Sequence, residues 1–531
     1  MKKILVTETI SQVGLERLRR YAQVDICKGL SHEQLRDIIG QYDAIIVRSG
    51  TKVTSDILSA GKRLRVVGRA GTGVDNIDVD AATKEGVAVV NAPTGNANAV
   101  AEQTIALMLA LARRLYPAIA SLKAGRWEKS SLQGIEVRGK TLGLIGLGRI
   151  GSLVASKAKA LEMRVITFDP YASEERAASS GASLVSLEEL LTTSDFVSIH
   201  TPLTPETRGM IGAEELAKLK PSAYIINCAR GGIVDEQALK VTLEEKRIAG
   251  AALDVFVEEP AVDNELLESP RLIATPHLGG STAEAQDSVA IDIAQAVIDV
   301  LEGGISATPV NMPYLPPKAT EFLRPYMDLA QRLGSFFIQW HGRLPGKIEL
   351  TYEGKVRQYD TRILTSAFLA GLLSPISTEP VNMVNALHAA EERGIAISEI
   401  RQGRREHFES VLRARFDVAG GEQSIAGTML QDSPYLVSLD GQRLECLVQG
   451  HMLVDSHRDR PGIVGAMGQI LGEKEINISF AQLSRTSRGG RSIMILGLDE
   501  KAPPDILSEL AQIPNICRVR MVDLAPFDQT R

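Results

Sequence analysis

The sequence predicts an α/β protein built on parallel β-sheet, and three observations carry that prediction. Through the first 300 residues, short apolar segments alternate with amphipathic segments of helical period, as strands joined by helices do. A glycine-rich turn directly follows one of those apolar segments, at Gly146 to Gly151. Near the C-terminus the order changes to strand, helix, strand, strand, helix, strand, which indicates a separate small module.

Eight strands are predicted in the first part, each a short apolar run between turn residues. They cover residues 3–7, 44–47, 64–68, 141–145, 164–168, 196–200, 223–227 and 251–253. A long apolar stretch at 99–115 has helical spacing and is predicted to join two halves of this region. In the last part we expect strands at 445–455, 477–484, 491–498 and 517–522, and helices at 461–473 and 504–511.

Length and composition limit the class of protein. A chain of 531 residues is too long for one ordinary core, so three or four domains are expected. The net charge of -6 gives no basic surface for nucleic acid, and the four cysteines show no metal-ligand or CxxC spacing. Residues 1–7 are expected to form a first strand and not a signal peptide, and no stretch approaches the ~20 apolar residues that would span a bilayer. We therefore expect a soluble, cytoplasmic protein without a metal, a membrane partner or a nucleic-acid partner.

A segment rich in glycine and proline, residues 301–317, is the best candidate for a domain boundary. Beyond it, residues 318–445 mix helix and strand patterns, with a helix predicted at 383–393. Basic residues such as Arg401, Arg404 and Arg405 occur in this middle region, but no motif assigns them a function.

The glycine-rich turn has the form of a dinucleotide-binding site. Gly146 permits a tight turn, Gly148 lets the backbone approach a pyrophosphate, and Gly151 lets the following helix pack against the strand. The phosphates would lie at the helix N-terminus. The next predicted strand ends at Asp169, where a carboxylate binds ribose hydroxyls and disfavours a 2′-phosphate. The predicted cofactor is therefore NAD.

Three charged residues lie at the ends of strands or in loops beyond this turn, and they can converge at one crevice outside the carboxyl ends of the sheet. His277 is a suitable base for the hydroxyl proton of a 2-hydroxy acid while hydride moves to the nicotinamide. Glu259 would orient the imidazole and stabilise its protonated form. Arg230 offers a planar fork for the substrate carboxylate and the C2 oxygen.

At this point the sequence resembles the D-isomer-specific 2-hydroxyacid dehydrogenases, and within them the long form of D-3-phosphoglycerate dehydrogenase. The resemblance covers nearly the whole chain. It is most specific at GRAGTGVDN (68–76), the glycine turn, Cys228-Ala-Arg230, DVFVEEP (254–260) and His277-Leu-Gly-Gly. It implies that Arg230, Glu259 and His277 are the catalytic trio. The cofactor contacts that it implies are Thr72, Arg149, Ile150, Asp169, Thr201, Cys228 and Asp254, beside the three glycines.

The resemblance also implies the fold class in detail. A Rossmann-type NAD domain, residues 96–285, is expected to be inserted in a flavodoxin-like substrate domain made of residues 1–95 and 286–312. A mixed α/β intervening domain (318–445) and a βαββαβ ACT domain (446–531) follow. In the family the intervening domain is proposed to host a second effector or substrate site.

The residues and the resemblance also lead to expectations about the substrate and its regulation. A dianionic phosphate needs basic residues from the substrate domain, and Arg48 and Arg69 both follow apolar strands. The expected reaction is NAD-dependent oxidation of 3-phosphoglycerate to 3-phosphohydroxypyruvate, the first step of serine synthesis. The resemblance implies L-serine as effector, held by Asp459 and Asn477 with His457 nearby, usually at a subunit interface. A homo-oligomer, dimer or tetramer, is expected, with subunit contact along the helix that starts near Ala99.

Two rival functions remain at this point. A glyoxylate or hydroxypyruvate reductase of the same family is disfavoured by the long C-terminal extension. A non-catalytic NAD-sensing regulator on the same fold is disfavoured by the intact set of Arg230, Glu259 and His277. The C-terminal module could also serve only to pair subunits.

Overall fold

Four β-sheets follow one another along the chain in the computed structural model, which describes residues 1–403, 408–418 and 421–525. The first two sheets are parallel throughout, the third is mixed and the fourth is antiparallel. The α/β class that the sequence predicts is therefore confirmed for the part that holds the glycine turn. Arg404 and Arg405 lie outside the described residues.

The first sheet has five strands in the order β2-β1-β3-β4-β5. Its strands are β1 (Lys3–Val6), β2 (Gln23–Ile26), β3 (Ala44–Val47), β4 (Val66–Arg69) and β5 (Ala88–Asn91). The connecting helices are α1 (Gln12–Tyr21), α2 (His32–Ile39), α3 (Ser55–Ala60) and α4 (Val79–Lys84). A much later helix, α12 (Ala283–Leu301), shares a core with β1 and β4, so the chain returns to this sheet after building the second one.

The second sheet has seven strands in the order β12-β11-β10-β9-β6-β7-β8. They are β6 (Thr141–Ile145), β7 (Arg164–Phe168), β8 (Ser183–Leu184), β9 (Phe196–Ile199), β10 (Tyr224–Asn227), β11 (Gly250–Leu253) and β12 (Leu272–Ala274). Helices on its two faces are α7 (Arg149–Ala160), α8 (Glu174–Ser179), α9 (Leu187–Thr193), α10 (Ala213–Lys218) and α11 (Glu236–Glu244). All five strands predicted here form, with ends that differ by at most one residue.

The apolar stretch predicted as one helix at 99–115 is two helices, α5 (Ala97–Ala112) and α6 (Leu115–Lys123). Arg114 adopts a left-handed conformation, with φ of 51°, and this breaks the helix. The two helices meet at 65°. Among the described helices, none alone has the length and apolarity to cross a membrane; this bent pair passes on length and composition only.

The segment predicted as a linker, 301–317, is packed against the first sheet for part of its length. Val310 donates its N–H to the carbonyl of Val89 at 2.8 Å, and Val89 donates to Oδ1 of Asn311 at 2.8 Å. These bonds satisfy the outer edge of β5. The chain then enters the long helix α13 (Pro317–His341).

The third sheet, with the order β14-β13-β15-β16-β17-β18, packs on α13 and two further helices. The helices are α14 (Arg362–Leu373) and α15 (Ala386–Glu392), the second of which lies inside the predicted helix 383–393. The strands are β13 (Lys347–Gly354), β14 (Ala396–Gln402), β15 (Ser410–Val418), β16 (Gly421–Leu430), β17 (Ser433–Leu439) and β18 (Gln442–Leu447).

The fourth sheet is the predicted βαββαβ module, with the strand order β20-β21-β19-β22. It contains β19 (Gly450–Arg458), α16 (Ile463–Glu473), β20 (Ile478–Arg485), β21 (Arg491–Leu498), α17 (Pro504–Leu510) and β22 (Ile516–Leu524). The predicted strand 445–455 is wrong, because this stretch is split between β18 and β19 by a break at residues 448–449. Helices α16 and α17 cover one face of the module, and α13 covers the other.

Candidate active site

A cavity of about 650 Å³ lies where the loops after the strands of the first and second sheets meet. The loops that follow β1 and β3 supply Thr9 and Arg48, and β4 ends at Arg69. The second sheet supplies Glu259 and His277, in the loops after β11 and β12. Because ligands of parallel sheets bind outside the carboxyl ends of the strands, this cavity is the candidate active site.

His277 and Glu259 form a hydrogen-bonded pair at the cavity wall. Nδ1 of His277 lies 2.8 Å from Oε2 of Glu259, and both side chains are partly exposed. Oε1 of Glu259 accepts a hydrogen bond from the N–H of Phe256 at 3.1 Å, so both carboxylate oxygens are engaged. Within the described part of the chain, Nε2 of His277 has no hydrogen-bond partner, so it can accept a proton from a bound ligand.

The loop that carries His277 is held by a buried carboxylate. Asp254 is 1% exposed, and it accepts hydrogen bonds from the N–H groups of Leu278 and Gly279, both at 2.8 Å, and from the Thr275 hydroxyl. His277 has a φ of 54°, a conformation that non-glycine residues rarely adopt and that the surrounding structure must enforce. The predicted cofactor contact of Asp254 stays a prediction, while its bonds to this loop fix the position of the imidazole.

Burial raises the pKa of the Glu259 carboxyl, but this effect is outweighed. The hydrogen bond and charge of His277, the Phe256 N–H and the charge of Arg230 together hold the pKa of Glu259 below its ordinary value. Glu259 is thus ionised at neutral pH, as a partner that stabilises a protonated imidazole must be.

We expect Glu259→Gln to lower kcat for oxidation of the acid about tenfold, because the imidazole of His277 loses the carboxylate that orients it. The imidazolium that forms as the proton is taken also loses its charged partner. Initial rates over a range of acid concentrations, at saturating NAD, measure this loss. Glu258→Gln is the matched control, because Glu258 is adjacent and exposed and its replacement removes the same charge.

Arg230 is fixed on one side and free on the other. Its Nε donates to Oδ2 of Asp75 at 3.0 Å, and Nη1 donates to the carbonyl of Ala229 at 2.6 Å. Nη2 has no hydrogen-bond partner among the residues described and lies against Gly73, where a Cβ would come within 1.8 Å of it. A larger side chain at position 73 would displace the Arg230 guanidinium. The charge of Arg230 acts on Arg69 and Glu259, which places it beside the cavity.

The two arginines predicted to bind phosphate both line the cavity. Burial, together with the charges of Arg230 and Arg48, lowers the pKa of Arg69 to about 10, so Arg69 remains protonated at neutral pH. Its Nε is buried without a partner in the described residues. Arg48 donates from Nη1 to the carbonyl of Thr9 at 3.2 Å. Three guanidinium groups close to one cavity favour a ligand with more than one negative charge.

The glycine turn has the geometry that a dinucleotide needs. Gly146 has a φ of 97°, and a Cβ on Gly151 would lie 2.3 Å from the carbonyl oxygen of Gly146. A Cβ on Gly148 would meet nothing within 4 Å, so open space lies beside the start of α7. Oδ2 of Asp169 accepts from the N–H of Leu147 at 2.8 Å, which places the carboxylate at the turn. These residues fit NAD.

The remaining predicted cofactor contacts are distributed around the same region. Arg149 and Ile150 form the first turn of α7. Thr72 donates its hydroxyl to Oδ1 of Asn96 at 2.8 Å, while Oγ1 of Thr201 is buried without a partner in the described structure. Cys228 is 7% exposed, and burial raises its pKa to about 12, so it is a neutral thiol.

The chain is similar to known proteins both domain by domain and over nearly its full length. The family model for the D-isomer specific 2-hydroxyacid dehydrogenase, NAD binding domain, matches residues 105–279. Models for the D-3-phosphoglycerate dehydrogenase intervening domain and for the ACT domain match 322–440 and 451–515. A D-3-phosphoglycerate dehydrogenase of Synechocystis sp. is 44% identical over 97% of this chain and 94% of its own length. One of Methanocaldococcus jannaschii is 42% identical over 99% of this chain and 100% of its own.

This chain belongs to the D-3-phosphoglycerate dehydrogenase family. It is an NAD-dependent oxidoreductase with an ACT domain, and the predicted family, fold class and cofactor are confirmed. Among solved structures, a glyoxylate reductase of Paecilomyes thermophila is 34% identical with a TM-score of 0.54. It covers 58% of this chain and 98% of its own length.

The ACT domain of this D-3-phosphoglycerate dehydrogenase family member contains a buried pair at the end of β19. Nδ1 of His457 lies 2.5 Å from Oδ1 of Asp455, and both residues are almost inaccessible. Asp459, in the following loop, accepts from Nη1 of Arg485 at 2.9 Å and from the N–H of Gly489 at 3.0 Å. The first two predicted effector residues therefore lie at the same end of the sheet.

Asn477 lies at the opposite end of that sheet. It directly precedes β20 and donates from Nδ2 to Asp499 at 2.7 Å. The register places the start of β20 level with His451 and its end level with His457, roughly 20 Å apart at the rise of a strand. One chain alone does not bring Asp459 and Asn477 to a common small ligand.

Two contributors to the site were not identified from sequence, although both lie in the motif 68–76. Asp75 forms the ion pair with Arg230. Asn76 donates from Nδ2 to the carbonyls of Arg48 and Thr51, at 2.7 and 2.6 Å. The sequence motif 68–76, which contains both residues, is the feature that could have identified them. In the middle region, Arg401 donates from Nε to Oγ1 of Thr361 at 3.1 Å, so it contributes to the polar contacts of its own sheet.

Proposed function

We propose that the protein oxidises 3-phosphoglycerate to 3-phosphohydroxypyruvate with NAD, the first step of L-serine biosynthesis. The observation that carries this proposal is the His277–Glu259 pair, 2.8 Å apart, in a cavity also lined by Arg48 and Arg69. Nε2 of His277 takes the proton of the C2 hydroxyl, and Glu259 stabilises the imidazolium that forms. NAD, when bound, accepts the hydride from C2. Arg230 binds the substrate carboxylate through its free edge.

The phosphate is assigned to Arg48 and Arg69. Both line the cavity, and the Nε of Arg69 is buried without a partner in the described residues, an arrangement that a dianion would satisfy. The proposed cofactor contacts are Asp169 for the ribose, the turn Gly146–Gly151 for the pyrophosphate, and the predicted residues around it. We propose the domain division at 1–95 with 286–312, 96–285, 318–445 and 446–531, supported by the return of α12 to the first sheet.

The competing function is reduction of glyoxylate or hydroxypyruvate. A glyoxylate reductase shares the fold of 58% of this chain. The rest of the chain matches the D-3-phosphoglycerate dehydrogenase intervening domain and the ACT domain, which supports the phosphorylated substrate instead.

L-Serine is the proposed effector. Asp459 would bind its ammonium group, with His457 nearby, and Asn477 would be supplied by a second copy of the chain. This division between two copies is supported by the separation of Asp459 from Asn477 along the sheet. A coupling of about 1–3 kcal/mol between effector and substrate sites would suffice for regulation.

A homo-oligomer is the proposed assembly, with α6 and the residues that follow it at the contact. Tyr116, Ile119, Leu122 and Trp127 are exposed apolar side chains, and Trp127 is 82% exposed. Contiguous apolar surface of this kind marks an interaction site. The mass in solution by light scattering, for the protein and for Ile119→Asp, tests this assignment.

NADH formation with 3-phosphoglycerate and with D-glycerate, each with and without L-serine, tests the proposed function. We expect a preference for the phosphorylated acid that depends on Arg48 and Arg69, and suppression by serine. Preference without a serine effect keeps the reaction and removes the effector assignment. If the protein turns over only unphosphorylated acids, the result supports the competing function instead.

A further inference from the structure

The loop that joins β3 to α3 carries Arg48 into the cavity, and a carboxylate in the loop after β1 holds it. Glu8 follows β1, and its side chain accepts three backbone hydrogen bonds from this loop. Oε1 accepts from the N–H groups of Arg48 at 2.8 Å and Thr51 at 3.0 Å, and Oε2 accepts from Gly50 at 3.2 Å. A charged acceptor makes each of these bonds stronger than a neutral one would.

Further side chains bind the carbonyl groups and a hydroxyl of the same loop. Asn76 donates to the carbonyls of Arg48 and Thr51, and the hydroxyls of Thr7 and Thr51 lie 2.8 Å apart. In residues 48–51, all of which are described, only the N–H of Ser49 makes no bond within the protein. Arg48, Ser49 and Gly50 line the cavity, whereas Glu8 does not.

We propose that Glu8 is a positioning residue of the substrate site. By accepting hydrogen bonds from three of the four N–H groups of residues 48–51, its carboxylate fixes this part of the loop, so that the Arg48 side chain and the Ser49 N–H are presented to the anionic substrate. This inference rests on the proposed function for the identity of that substrate. Glu8 acts through the loop and does not contact the substrate.

A simple charge effect predicts the opposite result, which makes the proposal testable. Glu8 brings a negative charge near Arg48 and Arg69, and this charge opposes the binding of a phosphorylated acid. If charge were its only role, removing it would improve binding. If Glu8 positions the loop, replacing its carboxylate weakens or removes the bonds to three N–H groups, and substrate binding weakens despite the more favourable charge.

The test compares the full-length protein with Glu8→Gln, Glu8→Asp and the control Asp37→Asn, an exposed carboxylate on α2. Hydrogen exchange of the peptide covering residues 44–54 is measured first, without substrate. We expect exchange in Glu8→Gln to be at least about tenfold faster, because Gln has one neutral acceptor oxygen in place of two charged ones and its NH2 group cannot accept from an N–H. Glu8→Asp, which keeps the charge on a shorter side chain, should be intermediate, and Asp37→Asn should match the original protein.

Steady-state kinetics form the second part of the test. In Glu8→Gln we expect the KM for the acid to rise by at least about tenfold, while kcat changes by less than about threefold. The KM for NAD should stay constant, since Glu8 is remote from the glycine turn. A rise in the KM for NAD by the same factor would indicate general damage and would overturn the specific role.

Unchanged exchange of the loop in Glu8→Gln overturns the proposal whatever the substrate is, because that measurement needs no substrate. A lower KM in Glu8→Gln also overturns it and leaves only the charge effect. If the original protein does not oxidise 3-phosphoglycerate, the proposed function fails on that result alone. The kinetic comparison is then made with the acid that the protein does oxidise.

Discussion

His277→Ala should lower kcat for oxidation of the acid by about a thousandfold, within the range that a positioned general base contributes. Nε2 of His277 is the one nitrogen of the His277–Glu259 pair that is open to the cavity. Its loss leaves the hydroxyl proton without an acceptor while hydride departs. Binding of NAD should be unaffected, because the glycine turn and Asp169 are formed by other loops.

Stopped-flow or steady-state NADH formation measures the loss of rate, and NADH fluorescence titration measures cofactor affinity. His388→Ala is a suitable control, since His388 lies on α15 in the third-sheet region and pairs with Glu392. A kcat close to that of the original protein would remove the assignment of His277 as base. Loss of NADH binding would instead show that the substitution disturbs the loop.

Arg230→Gln should reduce kcat/KM for the acid by about 100-fold to 1000-fold, as expected when one partner of a charged pair is removed. Arg230→Lys keeps the charge but loses the planar fork and the bond from Nε to Asp75, so it should recover only part of the activity. The KM for the acid should rise in both variants, because the group that binds the carboxylate is altered. The affinity for NAD should change little.

Initial rates over a range of acid concentrations, at saturating NAD, separate kcat from KM in these variants. Arg247→Gln provides the control, because Arg247 pairs with Glu245 just after α11, where the chain enters β11 at its opposite end. Full recovery of kcat/KM in Arg230→Lys would mean that charge alone matters at this position. An unchanged KM in Arg230→Gln would contradict the proposed contact with the carboxylate.

Arg230 and Glu259 could be predicted because they follow the strands predicted at 223–227 and 251–253, whose apolar runs are easy to recognise. His277 follows β12, which was not predicted, and the motif His277-Leu-Gly-Gly identified it instead. His277, Glu259 and Arg230 come from separate loops, and the geometry of a parallel sheet brings such loops to one edge without further information. Four strands of the two parallel sheets were not predicted, namely β2, β5, β8 and β12. β5 and β12 have short apolar runs that were not assigned as strands. β2 reads Gln-Val-Asp-Ile and is half exposed, and β8 has only two residues, so neither gives a clear apolar signal.

Contacts between distant segments could not be read from sequence patterns. Asp75 and Arg230 are 155 positions apart, and Glu8 binds a loop 40 or more positions away. Nothing in the local sequence pairs these residues, since each is an ordinary loop charge until the sheets are assembled. The opposite placement of Asp459 and Asn477 depends likewise on the strand order β20-β21-β19.

The packing of α13 against the fourth sheet couples the ACT domain mechanically to the intervening region. Gln339 on α13 both donates to and accepts from the backbone of Asp523 on β22, at 3.0 and 2.9 Å. Met452 and Val454 of the same sheet share one apolar core with Trp340. The ACT module therefore shares its core with the intervening region. Loss of the module would expose apolar surface on that region, and any rotation of the module would also move α13.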